Sequence, residues 1–240
     1  MFTHLEIETQ STCNRSCKTC LRTKYPDKSK LESRNHKVQL PSETFYSIID
    51  QAHALNYKGT ICLSHYNEPL MDERILAFAS YVKHKLDTRE LSICTNGDFI
   101  TENKVKKLDD VFDSITIALY DENADEKEII FRQMFKKTEL RFTKGQHMLT
   151  HFGPHEHLDD IINGNIDHPC PYFQKYMIIS HTGDMLLCCE DFVGHWDLGN
   201  ANNESLVELW YSSKHLEILK NLEVTGGRRK YEYCSSCPRP

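Results

Sequence analysis

The sequence predicts an α/β protein built on a parallel sheet, with a small hairpin-plus-helix module at its C-terminal end. Two observations carry this prediction. Over residues 1–143, short β-compatible runs alternate with segments of helical period, which calls for right-handed βαβ crossovers and therefore a parallel sheet. From Cys170 onward, two apolar runs flank the turn His181-Thr182-Gly183-Asp184, and two short helical sets follow before a terminal C-x2-C. A chain of 240 residues can bury one substantial core plus such a module.

The elements follow in order. His4-Leu5-Glu6-Ile7-Glu8 alternates apolar and polar and reads as a first strand. Leu21 to Gln39 is charged, carries Pro26 and Ser29, and reads as loop. Ser42 is the expected N-cap of a helix whose apolar face is Phe45, Ile48, Ile49 and Ala52. Gly59 to Ser64 is a second strand, and Asp72 is expected to cap a helix bearing Ile75, Leu76, Phe78, Ala79 and Val82. Leu91 to Cys94 forms a third strand closed by Asn96-Gly97, Thr101 starts a third helix, and Ser114 to Leu119 forms a fourth strand. A helix over about 122–137 and a strand from Glu139 to Thr143 complete the alternation. Residues 144–165 hold glycines, Pro154 and His147, His151, His155 and His157, and read as a loop-rich link. Tyr176–Ser180 and Met185–Cys188 pair as the hairpin; Asn203 is expected to cap a helix with Leu206, Leu209 and Trp210, and Leu216, Leu219 and Leu222 form the next apolar set.

Composition narrows the function. The formal charge is −6 with no long basic run, against a backbone-driven nucleic-acid binder. No apolar run is long enough for a membrane span, and the N-terminus lacks the character of a signal peptide, so a cytoplasmic protein is expected. Ten cysteines in that setting point to metal or redox work, because disulfides do not persist there. A small polar substrate or a peptide fits such a chain best.

Cys13, Cys17 and Cys20 stand in C-x3-C-x2-C at the C-terminal end of the first strand, where a parallel sheet places active residues. Three soft ligands are one short of a closed zinc site. On a cubane they leave one iron free for a ligand that is not protein. Packing on one helical face is the plain alternative, but Thr12, Asn14, Ser16 and Thr19 are mediocre helix formers. Cys170, Cys188, Cys234 and Cys237 offer a second, four-thiolate set that could staple a module too small for its own core. A four-cysteine zinc site satisfies the same spacing, and Cys189 could replace Cys188.

The first motif resembles that of the radical S-adenosylmethionine (SAM) enzymes, and the order C-x12-G-x4-C followed by C-x2-C resembles their C-terminal twitch module, the short form of SPASM. The resemblance implies a partial (β/α) barrel over residues 1–150, a linker or mouth-covering loop over 151–169 and a twitch module over 170–240. It implies SAM and two [4Fe–4S] clusters as cofactors, one on Cys13, Cys17 and Cys20 and an auxiliary one on Cys170, Cys188, Cys234 and Cys237. An electron donor such as flavodoxin or ferredoxin is implied as partner. Tyr66-Asn67-Glu68-Pro69 stands where the family has Gly-Gly-Glu-Pro, with Glu68 expected on the SAM ammonium. Thr95-Asn96-Gly97 matches a SAM-facing turn, and Arg141 is expected near the SAM carboxylate. The family's aromatic residue before the third cysteine is Thr19 here, and its fourth-strand serine is Ala118.

The expected activity is dehydrogenation or epimerisation of a small aminocyclitol- or sugar-like substrate after hydrogen abstraction by a 5′-deoxyadenosyl radical. Cys62 and Cys94, the thiols left over in barrel strands, are the candidate hydrogen donors for epimerisation. The rivals are peptide modification by the same chemistry and a zinc-stapled binding module without catalysis.

Overall fold

The computed structural model describes residues 1–18, 20–24, 28–144, 167–170, 174–235 and 237. Thr19, the four loop histidines and most of the 151–169 linker lie outside the described residues.

Five strands, β1 (His4–Ile7), β2 (Thr60–Cys62), β3 (Glu90–Thr95), β4 (Ser114–Leu119) and β5 (Glu139–Lys144), run parallel and in sequential order. The helices α3 (Ser42–Ala54), α4 (Ile75–Lys85), α5 (Glu102–Val111) and α6 (Ala124–Met134) are the crossovers. Alternation along each strand sorts side chains onto two faces. Leu5, Ile7, Ile61, Leu91, Ile93, Ile115 and Ile117 are buried in the core beneath the helices. Glu6, Cys62, Ser92, Cys94, Thr116 and Ala118 occupy the other, partly accessible face, which is the inside of a partial barrel.

The hairpin β6 (Tyr176–Ile179) and β7 (Met185–Leu186) forms as expected, but it does not stand apart. Strand β6 pairs in parallel with β1, on the side away from β2, so the described sheet has seven strands in the order β5-β4-β3-β2-β1-β6-β7. Met177, Ile179, Met185 and Leu187 enter the same apolar core as the barrel strands. The run Met177-Ile178-Ile179 is buried throughout, as a strand covered on both faces must be. Gly183 turns the hairpin at φ +90°, and a Cβ there would lie 2.5 Å from Asn202 Nδ2.

Four local expectations are corrected. The charged stretch after Leu21 is not structureless: it folds into α1 (Leu21–Lys24), a 3-10 turn (Lys28–Leu31) and α2 (Glu32–Asn35), with Leu21 and Leu31 packed on Phe192. Ser42 is the first residue of α3 rather than its cap; its hydroxyl accepts from Arg74 instead. Asp72 caps no helix, because its carboxylate is taken up by Arg74 at 2.8 and 2.9 Å, and α4 starts only at Ile75. The helix α7 (Leu206–Trp210) is capped by Ser205, not Asn203; Ser205 and Glu208 form a reciprocal capping box legible as S-x-x-E in the sequence. Beyond it lie α8 (Ser213–Leu222) and α9 (Glu232–Ser235).

Candidate active site

The cysteine loop leaves β1 through residues that are polar and completely buried. Glu8, Thr9, Gln10 and Ser11 are all 0% exposed. Gln10 donates to the carbonyls of Thr12 and Glu68 at 2.9 Å, and the Glu68 N–H donates to Thr12. The loop is thus fastened to the segment after β2 before the first thiol is reached. Arg15 fixes its far side, bonded to Asp98 after β3 and to Asp121 after β4. An open cleft of about 400 Å³, lined by Asn14, Arg15, Ser16, Cys17, Asp98, Tyr120 and Asp121, lies over these strand ends.

Cys13, Cys17 and Cys20 are half-buried and unbridged. Burial, then the neighbouring Cys20 and Cys13, pushes the Cys17 thiol up to about 11. Thiols that raise one another in this way become thiolates together only around a strongly cationic partner, and an iron–sulfur cluster is one. Among the described residues no three Cys, His, Asp or Glu side chains converge on a single ion. A cubane does not ask for that, since each thiolate holds its own iron. Asn96 Nδ2 lies 3.8 Å from Cys13 Sγ, a donor of the kind that tunes a cluster.

Glu68 and the Thr95–Gly97 turn are brought together. The buried Glu68 carboxylate accepts from Leu70 N at 3.0 Å, Thr95 Oγ1 at 2.7 Å and Asn96 N at 2.8 Å. It acts as a clamp between the β2 and β3 ends. Burial raises its pKa despite these donors. Gly97 closes the turn at φ +81°, where a Cβ would press on Ile117 and Phe131. Asn67 Oδ1 accepts from His65 N, while its buried Nδ2 has no partner among the described residues, which leaves it a donor to offer. Tyr66 turns the other way: its hydroxyl donates to the Cys189 carbonyl at 2.9 Å and its ring stands edge-on to Phe192. Arg141 is engaged elsewhere, paired with Glu90 at 2.7 Å and Glu139 at 3.0 Å at the N-terminal end of the strands. We therefore expect Glu68→Gln to leave one backbone N–H facing an amide donor, at a cost of about 1–3 kcal/mol, and to weaken SAM binding in equilibrium dialysis. Arg141→Ala should leave SAM affinity unchanged; the reverse pattern would show that Arg141 swings inward.

Cys62 and Cys94 both lie on the inner face of the barrel, on the neighbouring strands β2 and β3. Ser64 holds them in place, its hydroxyl 3.3 Å from Cys62 Sγ and accepting from Cys94 N at 2.8 Å.

In the C-terminal part, burial, then Cys237 and Cys170, pushes the Cys234 thiol up to about 12, so these three form one group. Cys188 shares the buried Asp191 as a neighbour with Cys234. Cys189 lies instead beside Tyr66 at the barrel. Asp191 shapes this loop by accepting from Leu187 N and His195 N.

One network escapes sequence reasoning altogether. Glu8, fully buried, accepts from Arg34 at 2.8 Å, His181 Nδ1 at 2.7 Å and Tyr66 N at 3.1 Å. Arg34 also donates to the Phe192 carbonyl and covers the Phe192 ring at 4.2 Å. Burial alone would raise the Glu8 carboxyl; Arg34 and His181 outweigh it and hold it far below the usual carboxylate range. Strand β1, the loop after the cysteines, the hairpin turn and the Cys188 loop meet here. Glu8 reads in the sequence as the polar end of an alternating strand, and nothing local marks its partners.

Residues 170–238 match an iron–sulfur cluster-binding domain, the SPASM family model. The chain is similar to the S-adenosyl-L-methionine-dependent 2-deoxy-scyllo-inosamine dehydrogenase of Niallia circulans, with 23% identity over 99% of this chain and 93% of that relative. Among solved structures it resembles BtrN in complex with AdoMet and 2-DOIA, with a TM-score of 0.78, 20% identity and coverage of 99% of this chain and 93% of the other. It also resembles anSMEcpe with bound AdoMet and the Cp18Cys peptide, with a TM-score of 0.62, 14% identity and coverage of 98% and 87%. The chain thus shares the fold of these solved structures, and its C-terminal part matches the iron–sulfur cluster-binding domain.

Proposed function

We propose that this enzyme dehydrogenates a small polar alcohol of the aminocyclitol class. In this reading residues 1–150 are the barrel, and Cys13, Cys17 and Cys20 hold the SAM-binding [4Fe–4S] cluster. Residues 170–240 form the module in which Cys170, Cys188, Cys234 and Cys237 hold the auxiliary cluster. When bound, SAM on the reduced cluster supplies a radical that takes a hydrogen atom from carbon. Asn67 offers its free amide N–H to SAM, and Asn96 donates toward Cys13 while held by the Glu68 clamp. A reducing protein such as flavodoxin or ferredoxin supplies the first electron, in the cytoplasm.

The observation that carries the substrate class is the inner face of the barrel. Glu6, Cys62, Ser92, Cys94 and Thr116 present a carboxylate and small hydrogen-bonding groups. Such a surface suits a compact polyol bearing an amine, whose ammonium a carboxylate can hold. The similarity over nearly the full length of a dehydrogenase of an aminocyclitol supports the same class. The structural likeness to a peptide-bound enzyme keeps peptide modification as the rival.

The test is anaerobic turnover of the reconstituted protein with SAM, a reductant and 2-deoxy-scyllo-inosamine in deuterated water. Ketone and 5′-deoxyadenosine should form in equal amounts, with Cys62→Ala and Cys94→Ala still competent. Solvent deuterium at carbon in an epimerised product, lost together with one of these thiols, would identify that thiol as a hydrogen donor and overturn the dehydrogenase reading.

A further inference from the structure

We infer that His65, oriented by Glu6, is the base that takes the substrate hydroxyl proton in this reaction. The inference rests on the dehydrogenase reading above and adds a residue to it. Glu6 points to the inside of the barrel from β1, beside Cys62 and Cys94. His65 follows the C-terminal end of β2, where active residues of parallel sheets gather. Its Nδ1 lies 2.7 Å from Glu6 Oε1, and the ring stands edge-on to Tyr66.

The tautomer follows from the partner. An ionised carboxylate can only accept, so Nδ1 carries a hydrogen, and in the neutral ring Nε2 presents a lone pair. That lone pair is buried and has no hydrogen-bond partner among the described residues, although the side chain is only 3% exposed. A buried acceptor left without a donor costs free energy, and a substrate hydroxyl is a donor that would satisfy it. The other charges near the ring are already engaged. Glu8 is bound by Arg34 and His181, and Asp191 by the N–H groups of Leu187 and His195.

Turning an alcohol into a ketone removes a hydrogen atom, a proton and an electron. The carbon-bound hydrogen atom goes to the 5′-deoxyadenosyl radical, giving 5′-deoxyadenosine. The O–H proton goes to His65 Nε2 as the C=O bond forms, and the electron goes to an oxidised iron–sulfur cluster. Without a base, abstraction at carbon still proceeds while the proton has nowhere to go. His65 is thus the catalytic base, and Glu6 orients it through Oε1 while its other oxygen stays available to the substrate ammonium.

The experiment compares wild type, His65→Ala and Glu6→Gln in the reconstituted holoenzyme with SAM and 2-deoxy-scyllo-inosamine. It records ketone formed per 5′-deoxyadenosine, with iron content as the check on folding. His65→Ala should lower this ratio at least about a hundred-fold, the lower end of the range for a general base, while 5′-deoxyadenosine still forms. Glu6→Gln should lower it as well, because the amide can donate to Nδ1 and move the hydrogen to Nε2. Imidazole in the buffer should restore ketone formation to His65→Ala alone, and more so as pH rises and more of it is neutral, which loss of a packing residue would not show. Undiminished coupling in His65→Ala overturns the inference and leaves the dehydrogenase reading standing. If His65→Ala fails to retain iron, undiminished coupling in Glu6→Gln has the same force. A wild type that forms 5′-deoxyadenosine but no ketone overturns the dehydrogenase reading, and His65 as its base with it.

Discussion

Replacing Cys13, Cys17 and Cys20 together by alanine should abolish SAM cleavage and halve the metal content, from about eight irons and eight sulfides to about four of each. In the proposed reading the effect is all-or-none, because three thiolates are the entire protein share of the first cluster. Cys62 and Cys94 lie on the inner face of the strands, and the remaining five thiols lie in the C-terminal part. The four irons that stay should report the auxiliary cluster. The complementary replacement of Cys170, Cys188, Cys234 and Cys237 should leave the first. Iron and acid-labile sulfide analysis after anaerobic reconstitution measures both. About one zinc alongside four irons in the wild type would sink the auxiliary cluster and leave the first motif intact.

Arg34→Ala should destabilise the fold by about 3–5 kcal/mol, the cost of stranding a buried carboxylate. Arg34 is the main positive charge on Glu8, and Glu8 is wholly without solvent. His181 cannot replace it without taking up a proton in the same buried place. The effect has a defined pH dependence. With its folded pKa held below the ordinary value of 4.5, Glu8 contributes stability that is present above that value and is lost as pH falls through the folded pKa. Removing Arg34 lets burial raise the carboxyl, so the variant should lose its deficit on mild acidification while the wild type does not gain. Urea unfolding followed at neutral pH and near pH 4 measures this. A deficit that is equal at the two pH values would show that Arg34 acts through packing on Phe192 rather than through Glu8.

The sheet, its crossovers and both cysteine sets were legible in the residues, for a common physical reason. A period of two or of 3.6 and the spacing of soft ligands are local properties, and local properties are written in consecutive residues. The clamp role of Glu68 was legible only in part. Its place after β2 can be read from the chain, but its acceptors are filled by Leu70, Thr95 and Asn96, and two of these belong to the end of another strand. For Arg141, residue type alone says what a guanidinium can bind and not which carboxylate is nearest. Glu90 and Glu139 were nearer. Ser205 rather than Asn203 caps α7, and the S-x-x-E pattern that specifies it is local information carried by consecutive residues.

By itself the sequence determined the βα alternation, the placing of three thiols at the end of the first strand and the four further cysteines that close the chain. Only the tertiary structure decided that the hairpin joins β1 as part of the same sheet, that Glu8 gathers Arg34 and His181, and that Glu6 turns His65 so that a bare nitrogen is left over. Each of these depends on buried polar groups finding partners far along the chain. Burial makes such pairings obligatory, but which groups are buried together is fixed only when the strands have taken their order.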